Sequence, residues 1–104
     1  MQFDHVGLIT TEKKPGQRYV AATKVWVTDM KKHPYQVEWL RFEPNTPVTG
    51  PLRTQPHVAF RVKDIQKAMK GKKVILKPFA VHEKLTVGFI QTKDGAIVEF
   101  MKYS

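Results

Sequence analysis

Two short segments of this chain echo each other: Phe3-Asp4-His5-Val6-Gly7-Leu8-Ile9 near the start and Gln55-Pro56-His57-Val58-Ala59-Phe60-Arg61-Val62 near the middle. Each sets a histidine, then a valine and a small residue, at the opening of an apolar run that reads as a β-strand. Each also has a counterpart downstream. Tyr35-Gln36-Val37-Glu38-Trp39-Leu40 and Gly95-Ala96-Ile97-Val98-Glu99-Phe100 both hold one acid inside an otherwise apolar strand. The order His, Glu, His, Glu constrains the fold to two copies of one strand pattern. If such a repeat brings the four side chains together, two imidazoles and two carboxylates make a mixed nitrogen and oxygen site for a divalent first-row metal.

The chain of 104 residues is near the commonest size for one domain with a single core. Without cysteine it has no disulfide, no thiolate metal site and no thiol nucleophile, so histidines and acids must carry any metal. The opening Met1-Gln2-Phe3-Asp4-His5 lacks the basic and then apolar pattern of a secretory signal. No apolar run approaches the ~18 residues of a membrane span. The expectation is a soluble, cytoplasmic protein without a membrane partner.

The formal charge of +9 comes from 18 Lys and Arg against 9 Asp and Glu, which raises the question of anionic partners. The densest group, Lys63, Lys67, Lys70, Lys72, Lys73 and Lys77, runs along a predicted short helix and past its end. Lysines at a helix C-terminus complement its dipole and form a solvated face, so nucleic acid is not expected as a partner. No glycine-rich phosphate loop, nucleophile elbow or zinc-finger spacing occurs, which leaves nucleotide hydrolysis and serine-type acyl transfer without support.

Strand periodicity places residues 3–10 in a first strand, with Phe3, His5, Gly7 and Ile9 on one face. Thr11 to Arg18 is polar and broken by Pro15-Gly16, hence a loop. Lys24–Thr28 and Tyr35–Phe42 read as two strands joined by a turn, the second with Glu38, Leu40 and Phe42 on one face. Three prolines and a glycine between Glu43 and Pro51 mark an extended crossover.

The second half then reads as the His57–Val62 strand and a short helix N-capped by Asp64, with Ile65, Ala68 and Met69 at helical spacing. Gly71 stops the helix. Strands follow at Val74–Leu76, Leu85–Ile90 and Ala96–Met101, the last preceded by an Asp94-Gly95 turn. The second half is therefore β, α, β, β, β.

In these residues the chain resembles the vicinal oxygen chelate superfamily, the glyoxalase, bleomycin-resistance and extradiol-dioxygenase group. The resemblance is carried by His57-Val58-Ala59-Phe60-Arg61-Val62-Lys63-Asp64, Lys77-Pro78-Phe79 and Phe89 to Phe100, and more thinly by His5-Val6-Gly7-Leu8 and Val37 to Pro44. It implies an α+β fold of paired βαβββ modules forming a cupped mixed sheet. Residues 1–44 would be a truncated first module without its long helix, with one strand also open to replacement by loop, 45–54 a crossover and 55–104 a complete second module.

The resemblance further implies metal ligands at His5, Glu38, His57 and Glu99, a cofactor such as Zn, Ni, Mn, Fe or Co, and Glu99 or Glu38 as the catalytic base. Glu43 competes with Glu38 but lies five residues on, on the opposite face of a regular strand. The implied activity is that of a metal-dependent lyase, isomerase or dioxygenase on a small oxygen-rich substrate. The alternative is a non-catalytic small-molecule binding protein of the bleomycin-resistance type. A homodimer would cover the sheet face left by the missing helix.

Among the other residues, His33 and His82 lie in polar loops and read as surface residues, and Trp26, Trp39, Phe60 and Phe89 read as core. Arg61 shares the phase of His57 and is a candidate contact for an anionic group.

Overall fold

In the computed structural model, which describes residues 1–104, strands dominate a mixed α+β architecture. The strands are β1 (Gln2–Ile9), β2 (Arg18–Val20), β3 (Val25–Val27), β4 (Val37–Phe42), β5 (His57–Arg61), β6 (Lys73–His82), β7 (Leu85–Gln91) and β8 (Ile97–Tyr103). Two short helices, α1 (Pro51–Thr54) and α2 (Ile65–Met69), and a 3-10 turn at Met30–Lys32 complete the chain. No helix is long and apolar enough to cross a membrane. The chain divides into two compact units, His5–Pro56 and Met1–Asp4 with His57–Ser104.

In the unit of residues 5–56 the strands run in the order β2-β3-β4-β1. β1 and β4 are parallel, while β4 with β3 and β3 with β2 are antiparallel. A parallel pair needs a crossover, and here β2, β3 and the 3-10 turn form it without an α-helix. Val20, Val25, Val27 and Leu40 are buried along the alternating positions of these strands, and Val48 and Leu52 of the crossover segment are buried as well.

The strand β2 corrects the expectation of an uninterrupted loop up to Arg18 and of a lost strand. It pairs with β3 through Arg18↔Val27, Tyr19↔Trp26 and Val20↔Val25. Three residues are too few to show a period, and what holds them is tertiary: Tyr19 packs on Trp26 with ring centroids 4.9 Å apart. The extended crossover likewise contains α1, which starts at Pro51 in the first turn, where its missing N–H costs nothing, and buries Leu52.

The second unit orders its strands β5-β8-β7-β6, with β5 and β8 parallel and the other pairs antiparallel. Numbered within each unit, both sheets have the order 1-4-3-2 with the same parallel first pair, so the sequence echo is a topological repeat. The helix is where sequence placed it: the Asp64 side chain accepts from Lys67 N at 3.1 Å, and Gly71 follows in the left-handed region at φ +74.

Ile65 and Met69 of α2 pack with Ile90 and Phe100, flanked by Phe60, Val62, Ala68 and Val98. Close approach is permitted by Gly88, where a Cβ would sit 2.7 Å from Met69 Sδ. β6 extends well beyond the expected Val74–Leu76, through Pro78 to His82, with register irregularities against β7. An edge strand tolerates proline and bulges because one side of its backbone needs no partner.

Candidate metal centre

In the first unit, the register of the parallel pair sets Gly7 opposite Glu38. Gly7 is two residues beyond His5 on the same strand face, and having no side chain it leaves room for the carboxylate to reach back to the imidazole. His5 Nε2 and Glu38 Oε1 are 3.5 Å apart, at the long limit of a hydrogen bond but well within charge contact. His5 is 1% exposed and Glu38 9%.

The second unit repeats the arrangement. Ala59, two residues beyond His57, stands opposite Glu99 in the β5–β8 ladder, and His57 Nε2 lies 3.1 Å from Glu99 Oε1. Both residues are buried. The edge of one aromatic ring meets the face of the other between His57 and Phe89, with centroids 5.3 Å apart and planes at 88°. In both units, then, the glutamate of the fourth strand faces a small residue two positions after the histidine of the first.

The phase of the second sheet separates two functions. Phe60, Ile90 and Phe100 turn to α2, whereas His57, Val87, Phe89, Glu99 and Met101 occupy the opposite face. A carboxylate among buried valine, phenylalanine and methionine side chains is costly unless a proton, a donor or a cation meets it. A borderline divalent cation suits a set of imidazole nitrogens and carboxylate oxygens, and the buried His–Glu pairs therefore have the donor chemistry that such an ion needs.

Glu43, the competitor for the second position, is engaged elsewhere: it accepts from Trp26 Nε1 at 2.6 Å. His33 and His82 also have local roles. Each uses Nδ1 to accept a backbone N–H two residues on, from Tyr35 at 3.0 Å and from Lys84 at 3.2 Å. His82 is exposed and His33 half-buried.

Phe89 is core, and Phe60 is half-buried against the helix cluster. Trp26 and Trp39 differ from the expectation of core residues. They are half-buried on the strand face opposite His5 and Glu38, under Arg41 at 5.5 Å and Lys14 at 4.7 Å respectively. Without a helix on that face, the aliphatic stems and charged heads of two cations cover the indoles instead.

Sequence reasoning missed Asp4. It is 3% exposed and accepts from Arg61 Nε at 2.6 Å. That hydrogen bond, more than the accompanying charge attraction, raises the guanidinium above its ordinary pKa against the opposing effect of burial. Asp4 precedes His5, and strict alternation would turn only one of them inward; both are buried. The lysines at 63, 67, 70, 72, 73 and 77 are all exposed, in keeping with a solvated face.

No protein-family model and no curated protein sequence matches the chain.

Proposed function

We propose that His5, Glu38, His57 and Glu99 are ligands of one divalent cation, and that the protein is a glyoxalase-like member of the vicinal oxygen chelate group acting on a small oxygen-rich substrate. The observation that carries this reading is the repeated pair: in each unit a buried histidine on the first strand meets a buried glutamate on the fourth, through the same register offset. A structural histidine that merely bonds to backbone has no reason to recur with the same partner at the same offset.

When bound, the cation would act as a Lewis acid on substrate oxygens. The chain's own residues would do the rest. Glu99, or its counterpart Glu38, takes up and returns a substrate proton, and the apolar side chains beside them, Val87, Phe89 and Met101, exclude water from that transfer. His57 is held in orientation by Phe89. The reaction class is a lyase, isomerase or dioxygenase-like conversion.

A second reading is a small-molecule binding protein without catalysis. It is favoured by the 3.1 Å contact of His57 with Glu99, in which the two side chains meet each other directly. Turnover separates the two. Metal-loaded protein that converts α-ketoaldehyde-type substrates, and loses this in Glu99→Gln while retaining the ion, supports the enzyme. Saturable ligand binding with no turnover under any metal supports the binding protein.

A further inference from the structure

Independently of the metal reading, and on a surface other than the exposed lysine run, we propose that the open face of the first unit's sheet binds single-stranded nucleic acid. The strands of residues 5–56 alternate cleanly: Val20, Val25, Val27 and Leu40 are buried on one face, while Tyr19, Trp26, Trp39 and Leu8 hold the other. Trp26, Trp39 and Leu8 are half-buried and Tyr19 is 41% exposed, since the crossover from β1 to β4 has no α-helix to lie over them. Aromatic rings on three neighbouring strands, interleaved with cations, form the kind of surface on which the bases of a single strand stack.

The rings are held in place. Tyr19 and Trp26 are cross-strand partners with centroids 4.9 Å apart, and the Trp26 indole is fixed at its edge by donating from Nε1 to Glu43 at 2.6 Å. Trp39 is the diagonal neighbour of Trp26, because Arg41, two residues beyond Trp39, stands opposite Trp26 in the ladder. Diagonal neighbours lie roughly 7–8 Å apart, which leaves each indole room for a base of its own.

Two cations lie over the indoles, and both have reason to exchange places with a nucleotide. The Arg41 guanidinium carbon is 5.5 Å from the Trp26 ring and Lys14 Nζ is 4.7 Å from the Trp39 ring. Arg41 donates from Nη2 to Gln17 at 3.1 Å, but its Nε is buried without an acceptor, which is costly. For its charge Lys14 has the exposed Glu12 at 3.5 Å, a weak and screened pair. A phosphate oxygen satisfies either cation, and a base takes the ring face that the cation leaves. A nucleotide thus replaces both halves of each cation–π contact.

Charge also decides between occupants. Glu43 is taken up by Trp26 and Glu38 turns to the opposite face, so cations prevail on this one. A second copy of the chain, docked through the same patch about a two-fold axis, would bring Lys14 and Arg41 against their own equivalents. A duplex, whose bases are already stacked and paired, offers the rings no free base face.

The test is a titration of the full chain with an oligothymidine of about eight nucleotides, within the roughly 4–16 nucleotides that single-strand platforms occupy. Trp26 and Trp39 are the only tryptophans, so intrinsic fluorescence reads the proposed surface itself. Saturable quenching that weakens steeply as salt rises is expected. Lys14→Gln, in the loop before β2, should flatten the salt dependence by about 0.7 in slope, the effect of one lost phosphate contact. Trp39→Leu keeps an apolar side chain beneath Lys14 and should bind about tenfold more weakly, read through Trp26. Lys72→Ala with Lys73→Ala, in the other unit, should bind as the parent does. No quenching at low salt, parent-like binding by folded Trp39→Leu, an equal loss from the lysine pair, or a duplex of the same length binding as tightly would overturn the proposal. So would a dimer in sedimentation that Trp39→Leu dissolves, because the face would then be an interface between copies.

Discussion

Glu99 stands opposite Ala59 in the parallel ladder and turns its carboxylate back along the strand to His57, 3.1 Å from Nε2. The space for that turn exists because Ala59, completely buried, contributes only a methyl group. Glycine plays the same part at position 7 for His5 and Glu38. The small residue is thus as much a part of each pair as its two polar members.

Ala59→Leu should for that reason damage both stability and metal uptake. Forcing a larger side chain into a filled site costs about 1–3 kcal/mol. Urea unfolding would report the first effect and metal titration the second. Ala59→Gly, which costs about 0.5–1 kcal/mol through backbone freedom, should leave metal uptake intact.

Gly88→Ala should destabilise the second unit by about 1–3 kcal/mol, because the new Cβ lies 2.7 Å from Met69 Sδ. Met69→Ala alone should cost about 2–5 kcal/mol as a cavity. Combined, the two changes should be less damaging than their sum, since truncating Met69 removes the clash. Denaturation midpoints of the four proteins form the cycle, and strict additivity would show that the clash is relieved some other way.

Replacing Asp64 by Ala should cost about 1 kcal/mol, the usual loss for an N-cap, through the freed Lys67 N–H. An unchanged urea midpoint would mean that α2 is held by packing alone.

Much of this second unit can be read in the sequence because its signals are local. Asp64 caps within three residues, Ile65 and Met69 are one turn apart, and a single acid, Glu99, interrupts an apolar strand. What escapes such reading depends on distance or brevity. Arg61 and Asp4 are separated by 57 residues, so nothing local announces their ion pair. β2 is three residues long and rests on the packing of Tyr19 against Trp26. The half-buried indoles look like core residues in a strand pattern, because pattern alone does not reveal that the layer above them is lysine and arginine.

The Thr92 hydroxyl donates to Asp94, and chiefly for this reason the carboxyl pKa lies below its ordinary 3.8. A depressed folded-state pKa stabilises above the unfolded value, and that stabilisation disappears as pH falls through the folded value. Thr92→Val should thus be less stable than the parent above about pH 4, and the part of the gap due to Asp94 should narrow as the pH falls further. Urea midpoints across that acid range test the sign: a gap that widens with acid would contradict it.

The four-residue metal site is best tested by the metal content of the protein purified without a histidine tag and reconstituted with divalent ions, measured beside His5→Ala and His57→Ala variants shown to be folded. About one tightly held ion per chain is expected, lost from both variants, since a first-row ion in a mixed imidazole and carboxylate site needs its nitrogen ligands. No ion after reconstitution, or an ion retained undiminished in folded His57→Ala, would contradict it.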